Sequence, residues 1–199
     1  MSFSIEALAV LALSYLLGAV PFGLVFTKLA GLGDIRDIGS GNIGATNVLR
    51  TGRKDLALAT LLLDAGKGAI AVLVTRYFVA PELAAIAGAA AFIGHCFPIY
   101  LGFKGGKGVA TFVGTLFAIS WMLGLAFAGL WLLAAALFRI SSLSALIASL
   151  LSPLAAYYLH GGPGWMPIAF MTLVIYIRHR ENIARLMKGE EPKIGSKKK

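Results

Sequence analysis

The sequence predicts an all-α polytopic membrane protein with seven transmembrane helices, its N-terminus extracytoplasmic and its C-terminus cytoplasmic. Three observations carry that prediction. Of the 199 residues 58% are hydrophobic and only 14% charged, with a mean hydropathy of +0.83, whereas an ordinary soluble domain has about 25% charged residues. Uncharged stretches recur at about the 20 residues that cross a bilayer core. Basic residues gather in alternate connections between those stretches, the pattern of cytoplasmic loops. This composition excludes a cytosolic globular enzyme, a disordered chain and a secreted disulfide scaffold.

The spans follow in order. Residues 7–27 are uncharged and end at Lys28. The preceding flank holds Glu6 and no Lys or Arg, so it does not read as a cleavable signal. Residues 56–75 form a second span, interrupted by Asp64 and Lys67, and 82–100 a third. The runs 109–138 and 140–177 are each too long for one crossing. Gly124 divides the first into 109–122 and 125–138. The turn from His160 to Gly164 divides the second into 142–159 and 165–178. With seven spans, every basic residue except Lys67 and Arg76 falls on the cytoplasmic side. With one span fewer, the basic tail would face away from Lys104 and Lys107.

The formal charge of +9 therefore serves orientation and lipid headgroups rather than nucleic acid. Cys96 is the single cysteine, which excludes an internal disulfide and a Cys-rich metal site. The length fits one transmembrane domain over 1–199, with a flexible basic tail over 189–199 ending in Lys197, Lys198 and Lys199. No inverted repeat of the transporter kind is visible.

Three polar constellations fall on the predicted cytoplasmic side. Gly39 to Arg50 joins the first two spans and contains Gly39, Gly41 and Gly44 in a GxGxxG spacing. No strand precedes it, so a dinucleotide fold is rejected. Glycines nevertheless let backbone N–H groups approach an oxyanion, as Gly41, Asn42 and Gly44 are placed to do. Ser40, Thr46 and Asn47 add short donors, and Arg50 adds a fork suited to phosphate. The plainer reading is a flexible loop with helix caps.

The second constellation is Lys104-Gly105-Gly106-Lys107-Gly108. It is not a Walker A loop, yet two lysines around a glycine pair can cradle phosphate. Interfacial lysines alone would leave the glycines unexplained. The third is Arg178-His179-Arg180-Glu181-Asn182, where Arg178, Glu181 and Asn182 can share a helix face. His179 is the one imidazole among the basic loops and the natural candidate for proton transfer. Arg139-Ile140-Ser141-Ser142 is a smaller fourth element whose hydroxyls can cap a helix. Asp64 and Lys67 read either as functional charges or as a neutralising pair. His95 reads as a packing residue, and His160 is remote in an extracytoplasmic turn.

At GSGNIGATNVLR (Gly39 to Arg50), GHCFPIYLGFKGGKGVAT (Gly94 to Thr111) and IRHREN (Ile177 to Asn182) the chain resembles the bacterial integral-membrane acyl-phosphate:glycerol-3-phosphate acyltransferases. The resemblance implies transfer of an acyl group from acyl phosphate to the 1-hydroxyl of sn-glycerol 3-phosphate. Lysophosphatidic acid and phosphate would be the products, in the first acylation step of phospholipid synthesis. It also implies a multi-pass protein of the bacterial cytoplasmic (inner) membrane whose site faces the cytoplasm. The residues it carries over are Ser40, Thr46, Asn47, Arg50, Lys104, Lys107, His179 and Asn182, with Ser141 and Ser142 near the acyl donor. No cofactor or metal is implied, because a mixed anhydride is already activated. The HxxxxD signature of other glycerol phosphate acyltransferases is absent, since Tyr100, Trp165 and Ala184 stand five residues after His95, His160 and His179.

Such chemistry needs charge neutralisation, positioning and removal of one hydroxyl proton. Either His179 takes that proton, or the acceptor's own phosphate does while His179 and Asn182 hold it. A covalent acyl-Ser40 route lacks an adjacent base. The main rival from another class is a transporter of a phosphorylated solute, which predicts no chemical turnover. A lipid phosphatase would release phosphate without acceptor. Acyl-chain preference and oligomeric state are not encoded legibly, although a monomer suffices for the proposed site.

Overall fold

The computed structural model describes residues 5–161 and 164–195, excluding the side chain of His160. Every regular element among them is helical. Five segments are long and apolar enough to cross a membrane: Ile5–Leu29, Lys54–Phe78, Pro81–Leu101, Trp121–Phe138 and Ser141–Leu159. The apolar helices Val109–Ile119 and Trp165–Arg178 are shorter. These segments overlap the seven stretches read from the sequence, with the division of 109–138 displaced. The chain divides into two compact units, Met1–Ile119 and Ser120–Lys199.

In the first unit α1 (Ile5–Ala19) and α2 (Phe22–Leu29) replace the single span expected over 7–27. Pro21 is the cause: it lacks an N–H and disfavours helical backbone at Val20. A single turn, α3 (Ala45–Val48), precedes the long α4 (Lys54–Phe78), and α5 (Ala84–Cys96) and α6 (Val109–Ile119) follow. The central helix is α4, which packs on α1, α2, α3, α5 and α6. Glycines bring helices close: a Cβ on Gly18 of α1 would strike the Ala91 backbone of α5, and one on Gly114 of α6 the Ala65 backbone of α4. Small residues at helix crossings are how membrane helices gain dispersion contacts where lipid offers no hydrophobic drive.

The second unit holds α7 (Trp121–Phe138), α8 (Ser141–His160), α9 (Trp165–Arg178) and α10 (Arg180–Met187). Here α8 packs on both α7 and α9. Pro153 lies inside α8 and cannot donate to the Ser149 carbonyl one turn back. The Thr172 hydroxyl of α9 donates to that carbonyl instead, at 3.0 Å, and the Tyr176 hydroxyl reaches the Leu146 carbonyl at 3.1 Å. In hydrocarbon a freed backbone carbonyl needs such a partner.

Two boundaries differ from expectation. The break expected at Gly124 occurs at Ser120, which is extended (φ −157°, ψ 126°), while Gly124 lies inside α7. Arg76 donates to the Ile119 carbonyl at 3.1 Å, which satisfies the C-terminal end of α6. Arg178 and Glu181 do not share one helix either, because His179 separates α9 from α10. Of the turn expected over 160–164, Gly162 and Pro163 lie outside the described residues, as do Lys197, Lys198 and Lys199.

Candidate functional site

The loop before α4 is organised from beneath. Leu24, Ile35, Ile43, Val48 and Ala57 form a buried apolar cluster, so the glycine-rich segment is anchored by its own hydrophobic residues. Asn47 is 1% exposed. Its amide Nδ2 donates to the carbonyls of Ile35 (2.7 Å), Asn42 (2.8 Å) and Ile38 (3.2 Å). Its Oδ1 accepts from Ser40 N–H at 3.1 Å and from Arg50 Nη1 at 3.4 Å. The donor expected to face a substrate thus shapes the loop instead.

Around Asn47, Ser40, Gly41, Thr46 and Arg50 are exposed, and Asn42 and Gly44 half-buried. Gly39 and Gly41 adopt φ of +60° and +66°, which glycine does without strain. The Gly44 carbonyl accepts from Asn47 N–H and Val48 N–H. With one turn of helix behind it, α3 contributes little dipole, so the polar side chains carry any attraction for an anion here. At the loop's start Asp34 accepts from Arg36 (Nη2–Oδ2 2.6 Å). Those hydrogen bonds hold its carboxyl at about 2.

The loop from Gly102 to Gly108 docks on the end of α5. Gly105 N–H donates to the Cys96 carbonyl (3.2 Å) and Gly106 N–H to the His95 carbonyl (3.0 Å), supplying donors that a helix C-terminus lacks. A Cβ on Gly106 would run into the His95 ring, and one on Gly108 into Phe92. Close approach therefore explains these glycines. The Gly105 and Gly106 N–H groups are spent on α5, which leaves anion attraction to Lys104, exposed, and Lys107, half-buried.

Under this loop lies a charged cluster. Lys67 Nζ sits 2.9 Å from Asp64 Oδ1, and His95 Nδ1 lies 3.6 Å from the same oxygen. Asp64 and Lys67 thus form the neutralising pair, and the pair has a neighbour in His95 that spacing could not reveal.

In the second unit His179 is 3% exposed, and its Nδ1 meets the Ile175 carbonyl at 2.8 Å. A carbonyl only accepts, so Nδ1 carries the proton and the neutral ring's lone pair is at Nε2. Asn182 Nδ2 donates to Glu191 Oε1 (2.5 Å), Ser142 Oγ to the same oxygen (2.7 Å), and Arg185 Nε to Glu191 Oε2 (2.7 Å). Burial opposes ionisation of Glu191, but these bonds outweigh it and hold the carboxyl below its usual range. Ser141 and Arg178 are half-buried.

Glu191 and Arg185 escaped the sequence reading. Glu191 lies in the segment expected to be flexible. Within that segment Ile194 N–H donates to the Arg139 carbonyl at 2.6 Å. The available signal was the acidic pair Glu190–Glu191 between Lys188 and Lys193.

The sequence pattern of a family described as glycerol-3-phosphate acyltransferase matches residues 8–189. A glycerol-3-phosphate acyltransferase of Dinoroseobacter shibae is 61% identical over 186 residues, 94% of this chain and 92% of that protein. One from Paramagnetospirillum magneticum is 61% identical over 195 residues, 98% and 97% of the two chains. Among solved structures, the crystal structure of PlsY, an integral membrane glycerol 3-phosphate acyltransferase, is similar in its glycerol 3-phosphate form. The TM-score is 0.90 at 36% identity, covering 95% of this chain and 96% of that one. Its lysophosphatidic acid form gives 0.88 at 35% identity, covering 95% of each.

Proposed function

The chain belongs to the glycerol-3-phosphate acyltransferase family, and on that premise we propose how it works. It is an integral membrane enzyme that acylates glycerol 3-phosphate and yields lysophosphatidic acid. The observation that carries this reading is its likeness, over nearly the whole chain, to the glycerol 3-phosphate form of a solved family member. The donor is acyl phosphate and the acceptor atom the 1-hydroxyl. All seven apolar segments cross the bacterial inner membrane, and the whole chain works as one transmembrane domain. Its N-terminus is extracytoplasmic, and the basic loops of both units face the cytoplasm, as the distribution of Lys and Arg supports.

In the first unit Arg50, Lys104 and Lys107 neutralise phosphate charge, with Ser40 and Thr46 donating hydrogen bonds and Asn47 holding Ser40 and Arg50 in register. The backbone of Gly41, Asn42 and Gly44 lies within this cradle, and Gly105 and Gly106 set the height of the lysines. In the second unit Ser141, Ser142, Asn182 and Arg178 are polar groups suited to a phosphate or acyl carbonyl. The hydroxyl oxygen forms the new ester bond to the acyl carbon as the acyl–phosphate bond breaks. Its proton passes to His179 Nε2, whose tautomer the Ile175 carbonyl sets, and then to the departing phosphate. The alternative acceptor of that proton is the substrate's own phosphate.

Purified protein supplied with palmitoyl phosphate and glycerol 3-phosphate, without CoA or metal, tests this. Phosphate release that requires the acceptor is expected. Release without acceptor would identify a phosphatase, and no release would leave a transporter. His179→Gln separates the two proton acceptors: near-normal kcat at saturation removes His179 as the base, whereas a loss confined to KM assigns it to binding.

A further inference from the structure

The mechanism above makes no use of the most deeply buried charges described. Asp64, Lys67 and His95 are 2%, 1% and 4% exposed. Lys67 and Asp64 occupy a helix long and apolar enough to cross the membrane, where ionised groups are costly to keep. Helix packing does not require them, because α4 already meets α6 through close glycine contacts at Gly68 and Gly114. Their contacts instead lead in one direction.

The break at Pro21 leaves the Val20 carbonyl without a helical donor, and Lys67 Nζ donates to it at 3.0 Å. The same ammonium pairs with Asp64 at 2.9 Å, and Asp64 Oδ1 faces His95 Nδ1 at 3.6 Å. The opposite edge of the imidazole, Nε2, lies where a Cβ on Gly106 would go. The carbonyl of His95 receives Gly106 N–H, and that of Cys96 receives Gly105 N–H. A column of fixed contacts thus runs from the α1–α2 break through α4 and the imidazole to the loop carrying Lys104 and Lys107.

We infer that Asp64 and Lys67 orient His95, and that His95 sets the position of the Lys104–Gly108 loop, making the three residues positioning groups for the phosphate-binding lysines. The inference rests on the acyltransferase reading, since it assigns the lysines to a substrate phosphate. Lys67 is locked by the broken helix and Asp64 is locked by Lys67. The imidazole is then bounded on both edges, by a carboxylate 3.6 Å away, in electrostatic reach but beyond hydrogen-bond length, on one and by the loop backbone on the other. A buried ring so constrained leaves the loop one height above α5.

The test is a double-mutant cycle on acyl transfer from palmitoyl phosphate to glycerol 3-phosphate. It combines His95→Phe, His95→Asn and the charge-free pair Asp64→Asn/Lys67→Met, each with and without Lys107→Met. Thermal unfolding in detergent accompanies each protein. His95→Phe and the charge-free pair are expected to lower kcat/KM at least tenfold, and His95→Asn, which keeps a donor near Nδ1, to retain more activity than His95→Phe. Lys107→Met should cost several-fold less in the His95→Phe background than in the wild type, because the lysine there is already misplaced. Additive losses, or kcat/KM within twofold of wild type, would overturn the inference. If the charge-free pair does not fold, the His95→Asn and Lys107→Met cycle decides by the same criterion. Absence of acyl transfer by the wild type would overturn the functional reading itself, which is a separate result.

Discussion

Asp64 in the first unit and Glu191 in the second are both carboxylates hidden from water, with side-chain exposures of 2% and 7%, but they are neutralised by different means. Asp64 lies in a helix long and apolar enough to cross a membrane and faces a full cation one turn along it, itself fixed by a stray carbonyl. Glu191 lies beyond the last helix and is held by a hydroxyl, an amide and a half-exposed guanidinium. The difference follows from the medium. In hydrocarbon only an opposite charge offsets the loss of water. Beyond the last helix a partly exposed guanidinium shares the task with two neutral donors, and water can replace them at modest cost. The first arrangement is consequently rigid, and the second exchangeable.

The largest test of this contrast removes one member of the rigid pair. Asp64→Asn strands the Lys67 ammonium and should destabilise the protein by about 3–5 kcal/mol, read as a lowered Tm in detergent. Asp64→Asn/Lys67→Met should recover much of that loss. A single variant no worse than the double would break the ion-pair account.

Asn47→Ala extends the contrast to a neutral knot. It leaves carbonyls at Ile35, Ile38 and Asn42 without their shared donor, for about 2–3 kcal/mol. The KM for glycerol 3-phosphate should rise, because Ser40 and Arg50 lose their tether. An unchanged KM would show that Asn47 does not order the substrate-facing groups.

Gly106→Ala drives a methyl into the His95 ring and should cost about 1–3 kcal/mol with reduced acyl transfer. Gly129→Ala meets open space and should leave Tm unchanged or slightly higher. Equal effects at the two positions would remove the special role of the loop's docking.

The smallest effect is expected at the edge. Glu191→Gln keeps an acceptor but loses the charge facing Arg185, for about 1–2 kcal/mol at neutral pH. The folded carboxyl titrates below its unfolded value of 4.5. Its contribution is therefore present above pH 4.5 and disappears as pH falls through the folded value. Tm measured from pH 7 downward should converge between wild type and variant in that acid range. Divergence there would show that Glu191 is not ionised in the folded protein.

Much of the architecture was legible in the sequence because hydrocarbon imposes a local rule. Each backbone segment must satisfy its own hydrogen bonds and present apolar side chains, so segment length and charge position expose the apolar helices and the polar connections. The candidate residues were legible for a similar reason, since glycines, lysines and a histidine stand out against an apolar chain. Gly124 misled because a glycine inside a membrane helix is ordinary. The true break lies where Arg76 caps Ile119, 43 residues away in sequence.

The sequence by itself determined an all-helical membrane protein, the number of its apolar segments, and the basic clusters available to phosphate. Only the tertiary structure decided what those polar groups are tied to. It bound Asn47 into its own loop, spent the Gly105 and Gly106 N–H groups on α5, set His95 between Asp64 and Gly106, and gave Ser142 and Asn182 to Glu191. Those pairings join residues from five to 49 positions apart along the chain, and each is fixed by which partner the fold brings into contact. No local periodicity encodes that contact.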